Sequence, residues 1–303
     1  RHITIDNNGV IDVGAGNNGD AIALELGAVV DGGIVNTGLV QGRGIADGTT
    51  NTTSATIRLY WVEAAGAPVS QFIGDIVNEG ELATENGATV LIDDRVALDG
   101  EIVNNGLITG GIADSYSGQL AVDASGAASS ITLVNTGEIV GDSLLSDHND
   151  TYVGLEGEID GAVFGNGGND RLFGGEFDDI FSGGTGNDLI LGNAGNDQLF
   201  GDAGNDIIAA GNGHDVVTGG DGNDVLKGGR GDDLIDGGLG SDALFGGAGA
   251  DSFIITPESG IDIIFDFEVG SDRLVFEEGL SLGQVNFVQA GNNTLVITES
   301  GAP

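Results

Sequence analysis

Ten aspartates recur every nine residues between Gly165 and Ile254: Asp170, Asp179, Asp188, Asp197, Asp206, Asp215, Asp224, Asp233, Asp242 and Asp251. Each closes a stretch built mostly of Gly, Asn and Asp. Each is followed two residues later by an apolar residue, from Leu172 through Phe181, Ile190, Leu199, Ile208, Val217, Leu226, Ile235 and Leu244 to Phe253. Carboxylates repeated in a glycine-rich backbone offer hard oxygen donors beside exposed carbonyls, a set that suits Ca²⁺ over softer metals. The chain has no Cys, and its 3 His residues, His2, His148 and His214, are scattered, so zinc and copper find no ligand cluster.

The elements that position these carboxylates follow from the same unit. Its first six positions tolerate positive φ and form a turn. Its last three, with the apolar residue in the middle, form a short strand with one inward face. Only stacking buries that face, so the copies wind into a solenoid with a thin apolar core. The aspartates then become two ladders along its edges. Spaced about one strand apart, ~4.8 Å, they repel, and the stack requires a cation. A disordered linker is the alternative, but disorder does not keep an apolar residue at every ninth position.

Ten in-register copies of Gly-Gly-x-Gly-x-Asp-x-apolar-x closely resemble the hemolysin-type calcium-binding repeats of the RTX family. The resemblance implies a right-handed parallel β-roll with two nonapeptides per turn and each Ca²⁺ between a loop and the loop two copies later. Ten loops pair in this way about eight times, giving about eight Ca²⁺. The resemblance assigns the Asp column as side-chain ligands, with carbonyls from the second and fourth positions of the earlier loop and the first and third positions of the later one. From first positions these are Gly183, Gly192, Gly201, Gly219, Gly228, Gly237 and Gly246. From second positions they are Gly175, Gly184, Gly211, Gly220 and Gly229, and from fourth positions Gly168, Gly186, Gly195, Gly204, Gly213, Gly222 and Gly231. Two loops depart: Phe177 replaces a fourth-position glycine, where positive φ would be strained, and Ala210 replaces a first-position glycine.

Residues 1–160 carry a looser unit, apolar-x-Asn-x-Gly-x-apolar, whose Asn column is Asn7, Asn36, Asn78, Asn104 and Asn135. Each copy is expected to be strand, tight turn, strand, with the Asn side chains hydrogen-bonding along the axis. The expected fold is a parallel β-helix with insertions at about Thr49–Val69 and Ser115–Ser130, similar to bacterial adhesin stalks. An Ig-like β-sandwich, with the Asn-Gly pairs as hairpin turns, is the alternative. Tyr60-Trp61 reads as a strand packing an insertion onto the stack, or as a carbohydrate platform. Residues 255–303 resemble the cap that follows RTX repeats, through Asp262, Ile264, Asp266, Phe267, Gly270, Asp272 and Leu274. Asp266 and Asp272 are candidates for one more Ca²⁺. The whole is all-β: a parallel β-solenoid of N-terminal β-helix, calcium β-roll over 161–254 and small β cap.

With 8 basic against 48 acidic residues the net charge is −40, which excludes nucleic acid and anionic membrane surfaces as partners without a metal bridge. The charge divides as about −20 before Gly161, −13 in the repeats and −7 after them. About eight Ca²⁺ nearly cancel the repeat share, and a halophile's acidic surface is the competing explanation for the remainder. No long apolar run marks a transmembrane segment. With 0 Met, the sequence reads as a fragment or processed product, and the tail is expected to stop short of a type I secretion signal. There is no His-Glu-x-x-His and no Gly-x-Ser-x-Gly, and no catalytic residue is assigned. These features point to a secreted structural protein of the Gram-negative cell surface: surface-layer, filament or adhesin component. Its expected partners are its own copies, in a filament or lattice, and cell-surface polysaccharide bridged by Ca²⁺. The alternative is a polysaccharide epimerase or lyase with RTX repeats as a secretion and stability module.

Overall fold

The computed structural model describes residues 2–7, 10–13, 22–26, 29–42, 57–61, 70–84, 88–93, 95–112, 118–256, 260–276, 285–290 and 293–298. Every regular element among them is a β-strand. No helix among them is long and apolar enough to cross a membrane. The chain divides into two compact units, Arg1–Asn166 and Gly167–Pro303.

In the first unit the chain winds through three parallel sheets. One passage runs Ile76–Asn78, Glu81–Thr84 and Val90–Ile92, and the next runs Ile102–Asn104, Leu107–Thr109 and Gln119–Asp123. Equivalent residues of successive turns pair in parallel register. On the first wall Ile34 pairs with Ile76, Ile76 with Ile102, and Ile102 with Leu133. On the second Val40 pairs with Leu82, Leu82 with Ile108, and Ile108 with Ile139. All of these are buried, so each β-branched or leucine column forms one inner face of the core. Parallel pairing rules out the sandwich, whose hairpins are antiparallel.

The Asn column is a continuous buried ladder. Each Nδ2 donates to the Oδ1 of the next turn: Asn7 to Asn36 at 2.9 Å, and Asn36 to Asn78, Asn78 to Asn104 and Asn104 to Asn135 at 2.8 Å each. Asn78 Nδ2 also reaches the Leu107 carbonyl at 3.1 Å, so the side chain satisfies backbone that the turn would otherwise leave unpaired. Asn78→Ala leaves the Asn36 amide and the Asn104 oxygen without their bonds in a buried site. We expect a loss of about 3 kcal/mol, read from the denaturant midpoint of this unit in the intact chain.

Two expectations need correction here. The supposed insertions each contain a wall strand. Ile57–Trp61 pairs with Ile22–Leu26 on one side and Val90–Ile92 on the other, and Gln119–Asp123 pairs with Val90–Ile92 and Asp142–Leu144. The third wall carries no Asn-Gly turn, so the repeat motif shows only two strands per rung. Tyr60 and Trp61 therefore belong to the wall and not to an insertion. Their side chains lie outside the described residues.

The second unit has two parallel sheets. Leu189–Ala194, Ile207–Asn212, Val225–Arg230 and Ala243–Ala248 stack in one. Ile180–Thr185, Gln198–Ala203, Val216–Gly222, Leu234–Gly240 and Ser252–Ile255 stack in the other. Leu189 pairs with Ile207 and Gln198 with Val216, a step of two nonapeptides per turn. The apolar column from Leu172 to Phe253 is wholly buried. The strands are longer than the expected three residues. They run on through the first three loop positions, where Asn193 pairs with Gly211 and Ala194 with Asn212. Stacking supplies those backbone groups with partners, so composition that reads as turn becomes ladder. An antiparallel hairpin, Val285–Ala290 with Asn293–Thr298, pairs onto Ile261–Ile264 and covers the edge of one sheet.

Candidate metal centre

Stacking places the Asp column inside the roll, and none of the ten is more than 3% exposed. From Asp188 to Asp251, one carboxylate oxygen of each is accounted for by the backbone. On one edge the Asp170 N–H donates to Asp188 Oδ1 at 2.7 Å, Asp188 to Asp206 at 2.7 Å, Asp206 to Asp224 at 2.8 Å and Asp224 to Asp242 at 2.8 Å. On the other, Asp179 donates to Asp197 at 2.9 Å, Asp197 to Asp215 at 2.8 Å, Asp215 to Asp233 at 3.0 Å and Asp233 to Asp251 at 3.0 Å. These are the two ladders the sequence implied.

The second oxygen is different. Oδ2 of Asp188, Asp197, Asp206, Asp215, Asp224, Asp233, Asp242 and Asp251 is buried with no hydrogen-bond donor. A buried acceptor in that state is costly, and more so when it carries charge. Burial pushes Asp197 and Asp206 up to about 7 and Asp179 and Asp233 up to about 6, against the pull of a backbone N–H on each. Neighbouring carboxylates push in the same direction as burial. Asp188, Asp215, Asp224, Asp242 and Asp251 are raised for the same first reason. The ladder as built demands protons or a cation.

Backbone carbonyls converge on the same oxygens. A Cβ on Gly201 would lie 2.4 Å from Asp206 Oδ2 and 2.5 Å from the carbonyl of Gly219, two copies later. Gly183 and Gly219 repeat the arrangement with Asp188 and Gly201, and with Asp224 and Gly237. Carboxylate, first-position carbonyl and a space that only glycine leaves open thus meet in successive loops. Among the described residues no three metal-ligating side chains group together. The donors are therefore paired carboxylates plus carbonyls, an oxygen set that fits Ca²⁺.

The two irregular loops behave differently from each other. Phe177 is not among the residues with positive φ, so its loop takes another backbone path and stores no strain there. The consequence falls on Asp179, whose Oδ2 accepts from the Gly175 N–H at 3.1 Å. Phe177 still keeps its carbonyl against the later loop, 2.2 Å from where a Cβ of Gly195 would be. Ala210 is fully buried, and its carbonyl stands in the usual place, 2.7 Å from a Cβ on Gly192. Both carbonyls thus come from residues other than glycine.

Of the two cap candidates, Asp272 extends one ladder, its Oδ1 accepting from the Asp251 N–H at 3.1 Å. Asp266 instead receives the N–H groups of Gly246 and Gly247 at 2.9 and 3.0 Å. Both carboxylates lie near enough to Asp251 to push its carboxyl up. Asp262, which the sequence reading placed only in the cap pattern, extends the other ladder. In the first unit Asp150 is buried in the same manner, with its Oδ1 accepting from the Ile131 N–H at 2.5 Å. Asn149-Asp150-Thr151-Tyr152-Val153-Gly154 repeats the order of Asn169-Asp170-Arg171-Leu172-Phe173-Gly174, a signal that lacked only its glycines. His214 belongs to an outer ladder of fifth-position residues, where its Nδ1 accepts from the Asp232 N–H at 2.9 Å.

Residues 164–199, 182–217 and 218–253 match the family model for the RTX calcium-binding nonapeptide repeat. Residues 164–253 are therefore calcium-binding repeats of the RTX, hemolysin type. No curated protein matches the sequence.

Proposed function

We propose that this protein is a secreted structural component of a bacterial cell surface that folds and assembles when it meets calcium. The supporting observation is the row of buried Oδ2 atoms without donors, from Asp188 to Asp251. In this proposal about eight Ca²⁺ bind, one between each Asp and the Asp one turn later, from the pair Asp170–Asp188 to the pair Asp233–Asp251. Second- and fourth-position carbonyls of the earlier loop and first- and third-position carbonyls of the later one complete each site. The ion supplies positive charge and coordination where the carboxylates would otherwise repel. Where calcium is scarce, inside the cell, the roll stays unfolded for export. At millimolar calcium outside, binding energy becomes folding energy.

The architectural role rests on charge. Chains of net charge −40 repel until divalent ions neutralise or bridge them. Filament or lattice formation and attachment to anionic cell-surface polysaccharide both follow from such bridging. A polysaccharide-active enzyme is the alternative that the β-helix shares. Against it, the chain before Gly161 has only Arg1, Arg43, Arg58 and Arg95 and no Lys, so a uronate substrate meets a repelling field. Electron microscopy and light scattering with millimolar Ca²⁺ and with EGTA test the proposal. Ordered assemblies that disperse in EGTA support it. Monomers at all concentrations, together with cleavage or epimerisation of a uronate polymer, would replace it with the enzyme.

A further inference from the structure

The family match ends at residue 253, but the aspartate ladder does not. Residues 257–265, Pro-Glu-Ser-Gly-Ile-Asp-Ile-Ile-Phe, keep the fourth-position glycine, the sixth-position aspartate and the eighth-position apolar residue, while the first two glycines are gone. The described part of this stretch sits as another copy of the repeat. Ile264 pairs with Leu244 and is fully buried. Gly260 has φ 84° and lies against Gly240, whose carbonyl would be 1.9 Å from an added Cβ. The Asp242 N–H donates to Asp262 Oδ1 at 3.1 Å across 20 residues, where the interior rungs span 18. Asp262 is 2% exposed, as buried as the aspartates of the column.

Asp242 then presents the same carboxylate as the interior sites. Its Oδ2 is buried without a donor. In interior copies that oxygen meets the first carbonyl of the loop two copies later, as Asp206 Oδ2 and Gly219 do beside Gly201. For Asp242 the loop two copies later is the one that carries Asp262. Burial first, and the Asp262 carboxylate after it, hold Asp242 above the usual carboxylate range. The opposite edge closes in another way. Asp272 is only half-buried, and its Oδ2 accepts from the Glu268 N–H at 2.7 Å, so no second fully buried carboxylate forms there.

We infer that Asp242 and Asp262 hold a Ca²⁺ of their own, which makes the first turn of the cap a metal site beyond the recognised repeats. This rests on the calcium reading of the roll. Native mass spectrometry of the full chain in saturating Ca²⁺ tests it by counting ions. Asp262→Asn keeps the hydrogen-bond acceptor and removes the charge, and it is expected to bind one ion fewer than wild type. Asp242→Asn serves the site on either side and is expected to bind two fewer. If Asp262→Asn does not fold, the Asp242→Asn count decides alone. A wild-type count in Asp262→Asn, or a loss of only one ion in Asp242→Asn, overturns the inference. A wild-type chain that binds no calcium at all overturns the calcium reading itself.

Discussion

Gly204→Val is expected to abolish the folded roll even in millimolar calcium. Gly204 has φ 147°, and a Cβ there would stand 1.4 Å from the carbonyl oxygen of Gly186. The obstacle is backbone fixed in a parallel ladder, so neither partner can move without breaking the pairing of Gln198–Ala203 with the strands on either side. A β-branched residue at this φ adds strain to the clash. The sum exceeds about 4 kcal/mol, the range reserved for core disruption. In a solenoid the damage interrupts neighbour terms in both directions. Circular dichroism of the variant should lack the wild-type calcium-dependent β signal. Wild-type folding would show that the loops do not stack this closely.

Calcium removal has an effect of similar size, and its pH dependence has a definite sign. An aspartate whose folded pKa is raised binds more protons folded than unfolded, so its penalty is absent below the unfolded value, about 3.9, and complete above the folded one. For Asp197 and Asp206, pushed up to about 7, and Asp179 and Asp233, pushed up to about 6, stability without metal falls as pH rises from 4 to 8. In EGTA the roll should therefore be unfolded at pH 8 and regain β signal towards pH 4. Protons and Ca²⁺ compete for the same oxygens, so the calcium midpoint of folding should rise as pH falls. A chelated roll that is most stable at pH 8 would contradict this electrostatic account.

Much of this was legible in the residues. The nine-residue period fixes the Asp column and the apolar column, because each follows from stacking identical units, whereas two copies per turn was implied only by the resemblance to RTX repeats. The Asn ladder was equally visible, since Asn36, Asn78, Asn104 and Asn135 keep their place in one motif. The third wall of the first unit was hidden because Ile57–Trp61 and Gln119–Asp123 carry no turn signature, only strand-forming residues at irregular distances. The residues at loop positions one to three read as turn by composition, yet Leu189–Ala194 runs through them once a neighbouring turn supplies partners. The copies around Asp150 and Asp262 are hidden because the two leading glycines of their loops are lost. Steps of 20 residues also replace the 18 of the interior.

Hydrogen exchange followed by mass spectrometry on the intact chain, with Ca²⁺ and with EGTA at pH 8, tests the central claim most directly. The first unit provides an internal reference, because its ladder of Asn78, Asn104 and Asn135 is uncharged and needs no ion. The roll is held by carboxylates that lack donors. Peptides covering Leu189–Gly240 should be protected in Ca²⁺ and exchange fully in EGTA, while those covering Ile76–Asn135 keep their protection. Equal protection of Leu189–Gly240 in both conditions would contradict the claim that calcium in the aspartate ladders holds this fold together.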